Sequence, residues 1–76
     1  MSPKLPRVSS RKLLKALSDA GFFIHYQRGS HIHLRHRKRS DLRVVVPAKK
    51  KSIAPKTLKS IIAQADMTVK ELIDLF

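Results

Sequence analysis

The sequence predicts a small α+β domain in which helices cover one face of a three-stranded antiparallel sheet, in the order α-β-β-β-α with a short further helix. Apolar residues recur with the helical period of 3.6 around 10–20 and 57–65, and with the strand period of two between these stretches. The chain has 76 residues, of which 42% are hydrophobic. We therefore expect one domain, 1–76, with a core of its own.

The composition favours a nucleic-acid-binding protein. Seventeen Lys and Arg against five Asp and Glu give a formal net charge of +12, so a nucleic acid is the first candidate for a partner and an acidic protein the second. The absence of cysteine excludes disulfides, thiolate metal sites and a cysteine nucleophile. No segment resembles a signal peptide or approaches the roughly 20 apolar residues that cross a bilayer, so we expect a cytoplasmic protein without membrane contact.

The first helix has signals at both ends. Ser9 is placed to cap its first turn, with Val8 before the cap to pack on the following turn, and Gly21 stands where a left-handed residue ends a helix. Its apolar residues are Leu13, Leu14, Leu17 and Ala20.

The three strands show a period of two. A three-residue turn at 28–30 is predicted, because it places Tyr26 opposite Ile32. A five-residue turn after the second strand likewise brings Leu34 opposite Val44. The alternating apolar residues are Phe22, Ile24 and Tyr26, then Ile32 and Leu34, then Leu42, Val44 and Val46.

The opposite side of the predicted sheet, called the solvent face below, is polar. Phe23 is the only aromatic residue expected there, so little base-specific recognition is predicted. The polar side chains expected on this face are His25, Gln27, His31, His33, Arg35 and Arg43.

Two more helices follow the third strand, which Pro47 ends. Pro55 suits the first turn of the longer helix. Thr68 and Glu71 have the spacing of a capping box for the short last helix. The apolar residues of the two helices are Leu58, Ile61, Ile62 and Ala65, and Val69, Leu72, Ile73 and Phe76.

The histidines admit four interpretations. They are solvated strand residues, which we adopt for His25 and His36; or His31 and His33 hold a metal with His25 opposite; or one is a general acid–base catalyst; or they contact phosphates and 2′-hydroxyls without chemistry. No carboxylate lies within 22–36, and nearby arginines would repel a divalent ion. The positive electrostatic field of these arginines suits a phosphate better than a metal ion.

His31 has the most informative position among these histidines. It follows Gly29-Ser30 and so lies at the edge of the solvent face, beside backbone N–H groups that can bind an oxyanion. RNA carries its own nucleophile, the 2′-OH, so an imidazole and cations for the phosphate suffice to cleave it without a metal. Basic clusters at 37–39 and 49–51 are expected to flank the sheet and contact a nucleic-acid backbone.

Several motifs together resemble a known family. The layout resembles a double-stranded RNA-binding domain. Ala20-Gly21-Phe22, Gly29-Ser30-His31, Val44-Val45-Val46-Pro47 and Thr57-Leu58, which opens the helix containing Ile61-Ile62-Ala63-Gln64-Ala65, resemble the HicA toxins of bacterial and archaeal toxin–antitoxin modules. The resemblance runs from about Lys4 to Phe76.

That resemblance implies a function. HicA toxins have a double-stranded RNA-binding-domain-like fold, cut mRNA, depend on the histidine of the turn, here His31, and are neutralised by the antitoxin HicB, which covers the active surface. The chain departs from the family pattern at three positions. Lys49 replaces a frequent histidine, Lys56 a glycine before Thr-Leu, and Asp66 the glycine that ends the helix.

The sequence thus predicts an mRNA endoribonuclease that needs neither metal nor cofactor, with His31 catalytic. Its expected partners are mRNA and an acidic HicB-like antitoxin. The alternative is a non-catalytic module that binds double-stranded RNA or DNA. The residues expected to bind the RNA and its phosphates are Arg28, Gly29, Ser30, His33, Arg35, Arg43, Lys49, Lys50 and Lys51.

Overall fold

A computed structural model describes Leu5 and residues 7–76. The strands form one antiparallel sheet in the order β1-β2-β3, so the predicted α+β fold is confirmed. The arrangement is consistent with that of double-stranded RNA-binding domains. Lys4, where the family resemblance begins, lies outside the described residues. The elements are α1 (Ser10–Asp19), β1 (Phe22–Arg28), β2 (His31–His36), β3 (Arg43–Pro47), α2 (Pro55–Gln64) and α3 (Val69–Asp74).

The core lies between one face of the sheet and the helices. Alternate residues of β2 and β3 are buried, and each helix buries some of its predicted apolar residues, whereas Leu14 and Ile73 are half-buried and Phe76 is exposed. Burial of these side chains is the main favourable term in folding. The largest fully buried side chains are Leu13, Leu17, Ile53, Leu58, Ile61, Leu72, Val44 and Val46.

The helix ends confirm the capping predictions. The Ser9 hydroxyl accepts a hydrogen bond from the backbone N–H of Lys12 at 3.1 Å. Pro55 stands in the first turn of α2. Thr68 and Glu71 form a reciprocal capping box at α3, with distances of 2.9 and 3.1 Å. These bonds satisfy backbone groups that a helix leaves unpaired at its ends.

The β1–β2 hairpin differs from the prediction. Its turn has two residues, Gly29 and Ser30, and Gly29 has φ +57°. A glycine with positive φ at the first position suits a two-residue turn whose twist matches that of the strands. Tyr26 therefore pairs with His33, and the predicted pairing of Tyr26 with Ile32 is wrong.

A β-bulge restores the predicted register further along β1. The register shifts between Ile24 and Tyr26, so that His25 is the extra residue, and Ile24 pairs with Leu34 as predicted. The bulge moves Tyr26 to the solvent face beside His33. Gln27 pairs with buried Ile32 and so lies on the helix side, which contradicts its predicted place on the solvent face.

The apolar face of β1 is less buried than the pattern predicted. On this face Phe22 is 3% exposed but Ile24 is 58% exposed, and Tyr26, which the bulge moves to the solvent face, is 48% exposed. β1 is an edge strand of the sheet, whereas β2 is central. The predicted pairing of Leu34 with Val44 is confirmed, although the β2–β3 connection spans six residues, 37–42, rather than five.

Ser10 ties the basic loop 48–52 to the start of α1. Its hydroxyl donates to the carbonyl oxygen of Pro47 at 2.6 Å and accepts from the N–H of Lys50 at 2.9 Å, while its own N–H donates to the Lys50 carbonyl at 2.9 Å. Ser10 is only 4% exposed. A buried network of this kind holds the loop in one conformation because each lost bond leaves a polar group unpaired.

We expect Ser10→Ala to lower the free energy of unfolding by about 1 to 3 kcal/mol, because it leaves the Lys50 N–H and the Pro47 carbonyl without their partner. Chemical denaturation measures the difference. Ser18→Ala is the matched control, since Ser18 is an exposed serine of the same helix and its loss should change little. Equal effects of the two substitutions would contradict this role of Ser10.

Candidate functional site

His31 is the first residue of β2 and is exposed. It lies between its two strand neighbours, Arg28 of β1 and Pro47 of β3. The imidazole borders a pocket of about 370 Å³ formed by β3, the basic loop and the start of α2. The residues lining this pocket are His31, Val45, Pro47, Lys50, Ser52, Ile53, Ala54 and Thr57.

The turn and the basic loop lie at the same end of the sheet as His31. The N–H of Ala48 donates to the carbonyl of Ser30 at 2.7 Å, which joins the loop to the turn. Lys50 lines the His31 pocket. A Cβ placed on Gly29 would meet no atom within 4 Å, so the space beside the turn is open to a ligand.

The other predicted phosphate ligands of this loop face elsewhere. Lys49 and Lys51 line a second depression, on the helix side of the sheet, together with Arg11 and Gln27, and Lys50 lines this depression as well as the His31 pocket. Lys49, which stands where the family often has histidine, has φ +58°. Of the three lysines, only Lys50 therefore shares a pocket with His31.

A second group lies further along the solvent face. His33 and Tyr26 stack with ring centroids 4.3 Å apart and planes at 8°, and the His25 ring meets Tyr26 edge-on at 5.3 Å. The prediction that Phe23 is the only aromatic residue on this face is wrong. The sequence carries no clear signal for the bulge that puts Tyr26 there. These rings border a pocket of about 370 Å³ lined by His25, Tyr26, His33, Leu34, Arg35, Arg43, Val44 and Val45.

Arg35 and Arg43 pair across β2 and β3 on this face. Arg35 is partly committed, because its Nη2 donates to the Ser40 carbonyl at 3.0 Å. Its Nε is buried without a hydrogen-bond partner among the described residues. Arg43 is exposed. Both arginines line the pocket beside the aromatic rings, and neither lines the His31 pocket.

The second predicted basic cluster, 37–39, belongs to the loop at the opposite end of the sheet. Arg39 there forms ion pairs with Asp41 at 3.3 Å and with Asp66 at 3.1 Å. The hydrogen bond from Arg39 lowers the pKa of the Asp41 carboxyl below its ordinary value. Arg37 lies over the ring of Phe23 at 5.6 Å.

Ion pairs are few in the described part of the chain. Within residues 7–76, the ion pairs are Lys15 with Asp19 and those that Arg39 makes with Asp41 and Asp66. None of them involves the cations beside His31. Arg28 and Lys50, like Arg37 and Lys38 at the other end, therefore keep a positive charge that is unpaired within residues 7–76, and such charge attracts a phosphate.

His36 is not the solvated residue that the sequence analysis predicted. Its Nε2 lies 3.0 Å from the carbonyl oxygen of Ala20, and its Nδ1 accepts from the N–H groups of Lys38 and Arg39 at 3.1 Å. Two donors at Nδ1 place the ring proton on Nε2, where it is donated to Ala20. The half-buried His36 ring thus joins the end of α1 to the β2–β3 loop and has no free nitrogen for chemistry.

Gly21 is required by the same contact. It has φ +103°, and a Cβ at this position would lie 2.7 Å from Nε2 of His36.

We expect Gly21→Ala to destabilise the protein more than Gly29→Ala. The substitution at Gly29 should cost about 1 to 2 kcal/mol through backbone strain alone, whereas at Gly21 the His36 bonds are lost as well. Thermal and chemical unfolding measure both, and equal losses would contradict the role of the His36 contact.

The described part of the chain contains neither a cluster of metal-ligating side chains nor a membrane-spanning helix. In Leu5 and 7–76, no three side chains of His, Asp or Glu lie together in a way that could hold a metal ion. No helix in these residues has the length and apolar character needed to span a membrane.

The family model of the HicA toxin of bacterial toxin–antitoxin modules matches residues 10–67. The match runs from the start of α1, through the whole sheet and the His31 turn, to the end of α2. No curated protein matches the chain. Because the family model covers well over half of the sequence, the chain belongs to the HicA toxin family.

Proposed function

We propose that this protein, the toxin of a toxin–antitoxin module, is a metal-independent endoribonuclease that cleaves mRNA with His31 as general acid or base. The observation that carries the proposal is the placement of His31. An exposed imidazole follows an open glycine turn, borders a pocket and lies among cations that no carboxylate neutralises within residues 7–76.

The chemistry requires two proton transfers. The 2′-oxygen of the RNA attacks the adjacent phosphorus while a base accepts its proton, and the bond from phosphorus to the 5′-oxygen breaks as that oxygen is protonated. An imidazole can accept or donate such a proton at neutral pH. DNA lacks the 2′-OH, so this mechanism is confined to RNA.

The surrounding groups can stabilise the negative charge that develops on the phosphorane. Arg28 lies directly across the hairpin from His31, and Lys50 lines the same pocket. The backbone N–H groups of Gly29 and Ser30 lie in the turn beside the imidazole. Fixed donors aimed at developing charge are a large source of catalysis. Lys49 and Lys51 contribute to the general attraction of RNA from the helix side.

We expect the purified protein to cleave RNA in the presence of EDTA and to leave DNA of the same sequence intact. His31→Ala should lower the cleavage rate by about 10²- to 10⁴-fold, the usual contribution of general acid–base catalysis. Rates are measured on a labelled single-stranded RNA, and RNA binding is measured on the same variant.

The control for this prediction is Lys70→Ala, because Lys70 is an exposed cation of α3 outside the site. His36→Ala is unsuitable, since it breaks the contact with Ala20. Loss of cleavage in EDTA would contradict the metal-independent mechanism. An undiminished rate in His31→Ala would contradict the role of His31, and binding without any cleavage would favour the non-catalytic module.

The proposed neutralising partner is an acidic HicB-like antitoxin bound on the solvent face. Carboxylates of such a protein would meet Arg28 and Arg43, which are exposed, and opposite charges would make association fast and sensitive to salt.

We expect hydrogen exchange to show protection of amides in 25–36 and 43–46 when the cognate antitoxin binds. Protection confined to the helices at 10–20 and 57–65 would contradict occlusion of His31.

A further inference from the structure

The stacked pair of Tyr26 and His33 is an aromatic surface beside two arginines, Arg35 and Arg43. The two rings are nearly parallel, with centroids 4.3 Å apart. Tyr26 remains 48% exposed, although a ring that served only the core would be covered. The bulge at His25 is the cause, because it turns Tyr26 away from the helices and against His33.

The pocket beside this pair combines flat rings with cations. It has a volume of about 370 Å³, which falls in the range of small-ligand sites. Tyr26 and His33 contribute rings, Val45 an apolar floor, and Arg35 and Arg43 positive charge. Rings that stack bases, together with cations that attract the backbone, are typical of proteins that bind single-stranded nucleic acids.

The pocket beside the Tyr26–His33 pair lies next to the His31 pocket. His31 and His33 lie on the same side of β2, two residues apart, which corresponds to about 7 Å along a strand. Val45 lines both pockets. The two pockets are therefore adjacent on one continuous face.

We propose that the Tyr26–His33 pair is a subsite for one unpaired base of single-stranded RNA, beside the phosphate at His31. The inference rests on the proposed function, because it assumes that His31 meets the cleaved phosphate. A base within a duplex is stacked on both sides and cannot reach a protein ring, whereas a splayed base of a single strand can. The substrate is accordingly a single-stranded segment.

Phe23 does not provide an equivalent site, although it is also exposed. It borders a different depression with Leu14 and Ser18 of α1, and Arg37 lies over its ring. Tyr26 is thus the exposed aromatic residue that shares a pocket with His33, Arg35 and Arg43.

The test uses the full chain carrying His31→Ala, so that the RNA stays intact during the measurement. Short single-stranded RNAs carry 2-aminopurine at one position at a time, and stacking of this base on a ring quenches its fluorescence. We expect strong quenching at one position, retained in Tyr26→Phe and lost in Tyr26→Ala. Tyr26→Ala should also weaken RNA binding by roughly 5- to 150-fold, the usual loss for one stacked base.

Phe76→Ala is the matched control. Phe76 is an aromatic residue of similar exposure, 43%, which lies near Lys12 on the helix side, and its removal should change neither quenching nor affinity. The same RNA annealed to its complement should bind more weakly to the His31→Ala protein. Adding Tyr26→Ala should not change the affinity for this duplex.

Two results would overturn the subsite. One is quenching and affinity that are unchanged in Tyr26→Ala; the other is an equal effect of Phe76→Ala. Both can occur in a protein whose parent form cleaves RNA through His31, so they would leave the proposed function standing. Conversely, tight binding with a Tyr26-dependent quench but no cleavage by the parent protein would contradict the catalytic role of His31 and support the base subsite.

Discussion

The register of the β1–β2 hairpin is the constraint on which the candidate site depends. A side chain changes faces when the pairing slips by one residue. The two-residue turn at Gly29 fixes His31 opposite Arg28, and the bulge at His25 returns Ile24 to Leu34. The bulge thus lets two aromatic residues of β1 lie on opposite faces of the sheet. Phe22 stays in the core, while Tyr26 joins His33 on the solvent face.

Buried hydrogen bonds fix the loops at both ends of this sheet. Ser10 holds the basic loop at the His31 end, and His36 joins α1 to the β2–β3 loop at the other. The charges differ, however. Arg39 is neutralised by Asp41 and Asp66, whereas no ion pair in residues 7–76 involves Arg28 or Lys50. Both ends of the sheet are held by buried contacts, and the cations beside the proposed catalytic histidine keep their positive charge unpaired within residues 7–76.

Local patterns were enough to predict the helices, their caps and the order of the strands. The pairing of Leu34 with Val44 also followed from matching apolar residues. The bulge could not be predicted in this way, because alternation in 22–27 suits an unbroken strand equally well. The role of His36 was missed because it arises from contact with Ala20, sixteen positions away in the chain. The prediction that His31 is catalytic rests on its glycine turn and on the family resemblance.

The unpaired charge couples stability to binding. Cations gathered on one face repel each other in the folded state more than in an extended chain, so a net charge of +12 lowers the stability of the free protein. A polyanion or acidic protein that binds the folded face removes this repulsion and stabilises the fold by mass action. RNA and an antitoxin would therefore compete for the same groups through the same electrostatic term. The aromatic pocket differs, because stacking needs a flat base, so it can favour RNA over a purely electrostatic competitor.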